Sequence, residues 1–452
     1  MIKLVVICMD KSIAIVASSE FFNDPRVLKE SVTAKKHGFD VDVFCYQYNI
    51  GDHPHNEVYE GVNVNRLISM SKTGTTLTHK LVRMFYIALY NIPEYIYICS
   101  MAVLNIFNRK NNVGADSQIG ESSQKGNKIR SWYSLFLSGL ITYFFANIEL
   151  YASAKSKKYD IYHSTDLPTL LAGCMLKMRN GGKLVYDTHE LWIDSVDFYP
   201  KIAISLLRVY EGFLIRYADV VVTVNESIAD ELVCRYNIPR PRVILNCPEY
   251  EVSRNTKVGY DDFRILYHGV FIKERGLENS ILAMKYTDDN CKLYLRGYDG
   301  YVVKGTEGEF IKSLKNIVES EGLSGRVTFL PVVDMVDLVK SIDCYDIGIV
   351  PYIPTNLNQY YASPNKTFEY MMGGLAVLTS NIPEQCRFVS MNGVGVSFDP
   401  YDPKDIAFAI NSVVRDIPGL DKKKQNALYF AKNKYNWDIE GGKLAEIYKS
   451  IA

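Results

Sequence analysis

The sequence predicts an α/β chain of two doubly wound domains, each built on its own parallel sheet. Three observations predict it. A length of 452 residues exceeds what one hydrophobic core usually serves. Short apolar runs alternate with helix-period segments along most of the chain, the signature of βαβ units. The alternation restarts after a polar run at 251–262, which reads as a linker.

Taken in order, 12–18 (SIAIVAS) reads as a buried strand. Asp24-Pro25 opens a helix that runs to about Lys36 and stops at His37-Gly38. Residues 41–44 alternate as a strand, so the first three elements form a βαβ unit with a right-handed crossover. Further units follow, with strands at 159–164, 183–187 and 218–224 and helices at 167–178 and 227–235. Beyond the turn Asn246-Cys247-Pro248, strands are expected at 264–268, 292–296, 326–329, 347–350 and 375–378, with helices between them. The expected domains are 1–250, with a hydrophobic and loop insertion at about 72–130, and 251–435. A final helix at 436–452 is expected to pack back on the first domain. Ligands of such sheets bind beyond the carboxyl ends of the strands. That rule places the end of strand 264–268 and the loop before Ser363 in the interdomain cleft.

Composition narrows the function classes. Lys plus Arg equals Asp plus Glu at 51 each, so no electrostatic bias toward nucleic acid exists. The nine cysteines are scattered singly and the seven histidines show no metal-ligand spacing, which argues for a reducing compartment and no metal site. The expectation is a cytoplasmic protein. Two apolar, aromatic-rich stretches, 85–107 and 132–145, qualify it. Interruptions by Asn91, Pro93, Glu94 and Asn105 argue against membrane-spanning helices. Buried core helices and a face lying in a membrane interface both stay open. In the second case Lys72, Lys80, Arg83, Lys125, Lys128 and Arg130 would meet anionic lipid. The polar segment 108–130 reads as a surface loop.

The most informative segment is 361–383 (YYASPNKTFEYMMGGLAVLTSNI). Ser363 suits an N-cap and Pro364 the first helical position, while Gly373-Gly374 suits a left-handed stop. The open helix start attracts an anion such as phosphate. Lys366 lies in the first turn, and Glu369 lies on the same face as Asn365 and Lys366, roughly 7–8 Å along the axis from the start. That spacing suits a pyrophosphate at the helix end and a ribose hydroxyl on the carboxylate. Upstream, YHGVFIKERGL follows a strand. There Gly269 permits close backbone approach, and Arg275 offers a fork of donors for phosphate oxygens.

These segments, with LYLRGYDG and RVTFLPVVDMVDLVKSIDCYDIGIVPY, resemble in order and spacing the retaining glycosyltransferases of family 4, whose fold is the two-Rossmann GT-B architecture. The first half agrees: FFNDPRVLKESVTAKKHGFDVDVF, YDIYHSTDLPTLLAG, LVYDTHELW and ADVVVTVNESIADEL resemble that family's acceptor-side domain. The resemblance implies a nucleotide-sugar partner, no cofactor and no metal. It gives Arg275 and Lys366 to the pyrophosphate and Glu369 to the ribose. The turn at 330–333, Val332 included, would hold the nucleobase, largely through backbone groups. His189 would reach the donor sugar or reaction centre, and His163 and Asp166 would line the acceptor side. Two departures stand out. Tyr361 occupies the place of a frequent family glutamate eight residues before the ribose carboxylate. FFNDPRV replaces the usual glycine-rich loop, so Arg26 would substitute for its backbone donors on the acceptor side.

The implied mechanism is front-face displacement with retention, in which the leaving phosphate oxygen takes the acceptor proton. Preorganised donors at Arg275, Lys366 and the helix end would each supply ~3–4 kcal/mol. The implied acceptor is a glycan or polyprenyl-linked glycan of a bacterial surface polysaccharide or capsule, handled at the inner face of the plasma membrane. Two alternatives share the fold: a UDP-sugar 2-epimerase and a non-catalytic nucleotide-sugar-binding assembly protein.

Overall fold

The computed structural model describes residues 11–47, 53–68, 143–196, 199–252, 260–301, 308–334 and 337–452. The stretch 85–107, most of 132–145, the loop 108–130 and the six basic residues singled out around them lie outside the described residues.

Two sheets form. The first takes strands β1 (Ser12–Val16), β2 (Asp40–Gln47), β3 (Asn56–Tyr59), β4 (Val62–Ile68), β5 (Ile161–Thr165), β6 (Lys183–Thr188), β7 (Val220–Thr223) and β8 (Arg242–Val243), in the order β3-β4-β2-β1-β5-β6-β7-β8. Strand β1 is parallel to both neighbours, with Ile13 opposite Val41 on one side and Ile161 on the other. Strands β2 and β4, and β5 and β6, are parallel as well, while β3 and β4 form an antiparallel hairpin unforeseen in the sequence. Glu60 and Gly61 turn it with φ of 45° and 80°, the positive values that a tight hairpin turn requires. The second sheet takes β9 (Phe263–Phe271), β10 (Cys291–Asp299), β11 (Val327–Leu330), β12 (Ile347–Val350), β13 (Ala376–Ser380) and β14 (Gly395–Phe398). Its order is β11-β10-β9-β12-β13-β14, and its neighbouring strands are parallel. The α/β class with two parallel-dominant sheets is the one the sequence predicts.

The chain divides into two compact units. One comprises Met1–Val222, Arg235–Pro241 and Ala445–Ala452, the other Thr223–Cys234 and Arg242–Leu444. Central strands are buried on both faces, as strands of a helix-covered parallel sheet are: every residue of β5, β12 and β13 is buried, including the polar His163, Ser164 and Thr165 at the end of β5. In the second unit, Ile265, Leu293, Ile349 and Leu378 build the core on one face of the sheet, and Leu266, Val350, Phe368 and Val377 that on the other. The first helix, Pro25–Lys36, starts where expected, with the Asp24 carboxylate accepting from the N–H groups of Arg26 and Val27. Apolar burial fixes the registers, and the registers bring the functional strand ends level. Thr165 stands opposite Asp187 in the first sheet, and Gly269 opposite Gly297 in the second.

Candidate functional site

In the second unit, β9 delivers Tyr267, His268 and Gly269. Gly269 has φ +119°, and a β-carbon there would stand 2.7 Å from both Cε and Nζ of Lys366. Only glycine lets that lysine lie across the strand end. Lys366 Nζ is 5.3 Å from the ring centroid of Tyr267 and 5.6 Å from that of Tyr352. The Arg275 guanidinium lies 3.9 Å from the same Tyr352 centroid. Arg275 ends the short turn Lys273–Arg275, which Gly276 closes with φ +59°, where a β-carbon would meet the Pro351 carbonyl oxygen at 2.2 Å. The electron-rich face of Tyr352 thus helps hold two cations near one strand end. Neither has a carboxylate partner among the described residues, and Arg275 Nε is buried without a hydrogen-bond acceptor. Buried donors seldom go unmatched, so this pair marks a place for an anion.

The helix Asn365–Met372 starts beside them. Its N-cap is Pro364, with no side-chain cap, which corrects the expectation for Ser363. The Ser363 hydroxyl instead accepts from Asn225 Nδ2 at 3.1 Å, and the same amide donates to the Tyr361 carbonyl at 2.8 Å. Asn225 therefore fixes the loop, and while Thr367 N–H donates to the Pro364 carbonyl at 3.0 Å, the helix start keeps the N–H groups of Asn365 and Lys366 and the positive end of its dipole. Glu369 sits one turn in, with Oε2 at 3.1 Å from His268 Nε2. The His268 N–H donates to the Tyr370 hydroxyl at 3.0 Å, and the two rings meet edge to face. Asn365 is exposed and Val332, just past β11, is 42% exposed. His268, Tyr352, Tyr370 and Asn225 escape motif reading, although His268 directly precedes the glycine that the motif marks.

In the first unit, β5 and β6 end in a second cluster. Asp166 has φ +55°, a strained value for a side-chain-bearing residue, at the point where β5 gives way to the helix Leu167–Asn180. Its N–H donates to the Asp187 carbonyl at 2.8 Å, and its Oδ1 accepts from the His189 N–H at 2.8 Å. The His189 ring lies between two carboxylates, with Nδ1 3.4 Å from Asp166 and Nε2 3.3 Å from Asp187. Burial would push the imidazolium down, but Asp166 and Asp187 outweigh it and raise its pKa to about 10. Burial raises the Asp166 carboxyl to about 7 despite the neighbouring His189. The His189 side chain remains 16% exposed, so the charge can meet a ligand.

Arg26 and His163 require correction. Arg26 is 2% exposed and donates from both Nε and Nη2 to Asp187 at 3.0 Å, with Glu30 2.9 Å away. It is committed to the interior and offers nothing to an acceptor. Burial works against its charge, but Asp187 and Glu30 more than offset that, so the guanidinium stays ionised. His163 is fully buried, 2.8 Å from the Tyr448 hydroxyl and 3.3 Å from Glu30. Burial would raise the Asp187 carboxyl, yet Arg26 and His189 hold it well below the usual range. Burial and Asp187 push Glu30 up. Glu30, His163 and Asp187 have ligand atoms within 4.8 Å of one another, close enough for a metal ion. The cation already paired to both carboxylates is Arg26.

Comparison with known proteins bears on both units. Residues 251–434 match the family described as Glycosyl transferases group 1, and residues 111–248 that described as Glycosyltransferase Family 4. An uncharacterized glycosyltransferase of Methanocaldococcus jannaschii is 24% identical over 315 residues, covering 65% of this chain and 75% of the relative. The alpha-D-kanosaminyltransferase of Streptomyces kanamyceticus is 19% identical over 280 residues, 59% of this chain and 69% of that one. Among solved structures, a sucrose-phosphate synthase of Thermosynechococcus elongatus superposes with TM-score 0.66 at 16% identity, covering 97% of this chain and 98% of the other. HepE of Anabaena in complex with UDP-glucose superposes with TM-score 0.62 at 13% identity, covering 97% and 99%.

Proposed function

We propose that this chain, a GT-B glycosyltransferase of family 4, moves a sugar with retention from a nucleotide-sugar donor to a glycan or lipid-linked glycan used in building a bacterial surface polysaccharide. The observation that carries the donor assignment is a contrast between cations. Arg26 in the first unit is saturated by carboxylates, whereas Arg275 and Lys366 in the second have none among the described residues. A charge-balanced arginine is a structural element, while two unbalanced cations beside an open helix start make a diphosphate site. Anabaena HepE, of the same fold, is seen with UDP and with UDP-glucose, which supports the same class of ligand here.

In this reading Arg275, Lys366 and the N–H groups at the start of Asn365–Met372 take the charge that grows on the leaving diphosphate. Glu369, oriented by His268, accepts from the ribose, and the backbone around Val332 holds the base. We assign the His189 imidazolium, held by Asp166 and Asp187, to the transferred sugar. The bond from the anomeric carbon to the phosphate oxygen breaks, and the acceptor oxygen bonds to that carbon on the same face. The leaving phosphate oxygen takes the acceptor proton, and with Arg275 and Lys366 on the diphosphate the reading asks for no divalent cation. Incubating the protein with a panel of nucleotide sugars tests the reading, first with and then without a chelator. Transfer or slow donor hydrolysis that survives the chelator supports it. Epimerised donor would favour a 2-epimerase, and binding without turnover a non-catalytic role.

A further inference from the structure

The helix Lys201–Leu214 of the first unit has two unlike faces. Ala203, Leu207, Glu211 and Leu214 point into the interior. On the other side Ile202, Leu206, Val209 and Phe213 are 62, 57, 72 and 60% exposed, and Tyr217 continues the line at 36%. At 3.6 residues per turn the four on the helix fall within a sector of about 60°, and Tyr217 ends the 3-10 turn Ile215–Tyr217 that follows it. An apolar stripe of four helical turns is more than the scattered surface hydrophobics of a monomer. Leu206 also lines a cavity of about 320 Å³ with Tyr143, Phe144, Leu167, Trp192 and Tyr210. The amide in its wall, Asn147, is spent internally on Ala172 N–H and on the Tyr143 and Pro168 carbonyls, and the rest of the wall is aliphatic and aromatic. The cavity therefore asks for hydrocarbon.

Charge selects the occupant. Lys201, Arg208 and Arg216 are exposed along the same helix and the turn that follows it, and the single acid between 201 and 217, Glu211, is buried. Arg208 is balanced by Asp194 at 2.9 Å, while Lys201 and Arg216 have no ionic partner among the described residues. A second copy of the same face would set these basic residues against each other with no exposed acid between them. An anionic bilayer supplies hydrocarbon and negative charge together. We propose that the 201–217 segment lies in the headgroup region of an anionic phospholipid membrane, with its Ile202–Tyr217 stripe against the acyl chains. This deepens the lipid-linked acceptor reading and rests on it for its purpose. It gives the enzyme a docking surface that the motifs do not contain.

Flotation of the full chain with vesicles tests it. Binding to phosphatidylglycerol–phosphatidylcholine vesicles should exceed binding to pure phosphatidylcholine and should weaken with salt. Val209→Ser with Phe213→Ser should lower partition by about tenfold or more. Lys201→Gln and Arg216→Gln should each cost about fivefold. Unchanged thermal melting would show that the variants are folded. Absence of wild-type binding, or binding that these variants leave intact, would overturn the proposal. So would a dimer in sedimentation velocity, abolished by the same variants, in a protein that ignores vesicles. Donor hydrolysis measured in parallel separates the two readings. Vesicle binding without turnover keeps the surface and sinks the transferase mechanism, and turnover without vesicle binding does the reverse.

Discussion

The ammonium of Lys366 occupies the volume that a side chain on Gly269 would fill, 2.7 Å from the position of that β-carbon. A strand end and a helix start thus share one space, and the empty α-carbon of the glycine is the lysine's berth. Gly269→Ala should displace Lys366 and strain a backbone at φ +119°, costing about 1–2 kcal/mol of stability. It should also weaken nucleoside diphosphate binding as much as Lys366→Met does, by calorimetry. Wild-type affinity in folded Gly269→Ala would remove Lys366 from the phosphate site.

Glu369→Ala and Arg275→Ala should each weaken nucleotide binding by ~1.5–3 kcal/mol, or roughly ten- to a hundredfold, the value of a charge-assisted hydrogen bond. His268→Ala should cost less, because His268 orients Glu369 from 3.1 Å without being assigned to the nucleotide. Calorimetric titration of the three variants checks the ranking. An intact affinity in both charge variants would rule out this donor site.

His189→Ala should reduce turnover far more than nucleotide affinity, since the group is assigned to the sugar rather than to the diphosphate. Single-turnover kinetics alongside nucleotide titration separate the two effects. Normal turnover would make His189 a structural partner of Asp166 and Asp187.

Stability should depend on the same imidazole. The folded pKa of His189 is raised to about 10, above its ordinary value of 6.5. The folded state therefore holds the proton more tightly, and the resulting stabilisation is complete below about pH 6.5 and fades as pH rises toward 10. Asp166, raised to about 7, acts in the same direction at lower pH, its contribution fading between about pH 4 and 7. Urea unfolding at pH 6, 8 and 10 should show wild type and His189→Gln converging as pH rises. A constant gap would contradict the charged assignment.

Arg26→Ala should destabilise the protein by about 3–5 kcal/mol, because Glu30 would lose the cation paired to it in the interior and Asp187 would keep only the His189 imidazolium. Thermal and urea unfolding would record the loss. A stability within the noise of wild type would mean that water or a rearranged partner replaces the guanidinium.

The fold was legible because each βαβ unit announces itself locally, through apolar runs, Asp24-Pro25 and Gly373-Gly374. The donor-side elements were legible for the same reason: β9, Gly269 and the helix at 365–372 carry their signals within a dozen residues. What the sequence hid depends on distant partners. Ser363 has the chemistry of an N-cap, but Asn225, 138 residues away, claims its hydroxyl. Arg26 reads as an open cation at a helix start until Asp187, 161 residues away, is folded against it. Glu30 was within reach, one helical turn from Arg26 with opposite charge, though helical spacing alone could not show it to be buried. The β3–β4 hairpin was within reach, because Val62-Asn63-Val64-Asn65 alternates strictly behind the Glu60-Gly61 turn, whereas β14 is a four-residue edge strand with too little pattern to read.

The closed circuit of Arg26, Glu30, Asp187, His163 and Tyr448 has a consequence for heredity. No member can be exchanged alone without stranding a charge or a buried polar group, so each single substitution is costly on the way to any different arrangement. These five positions should behave across descendants as one character, kept whole or replaced whole. Anyone redesigning the floor beneath His189 would have to do the same.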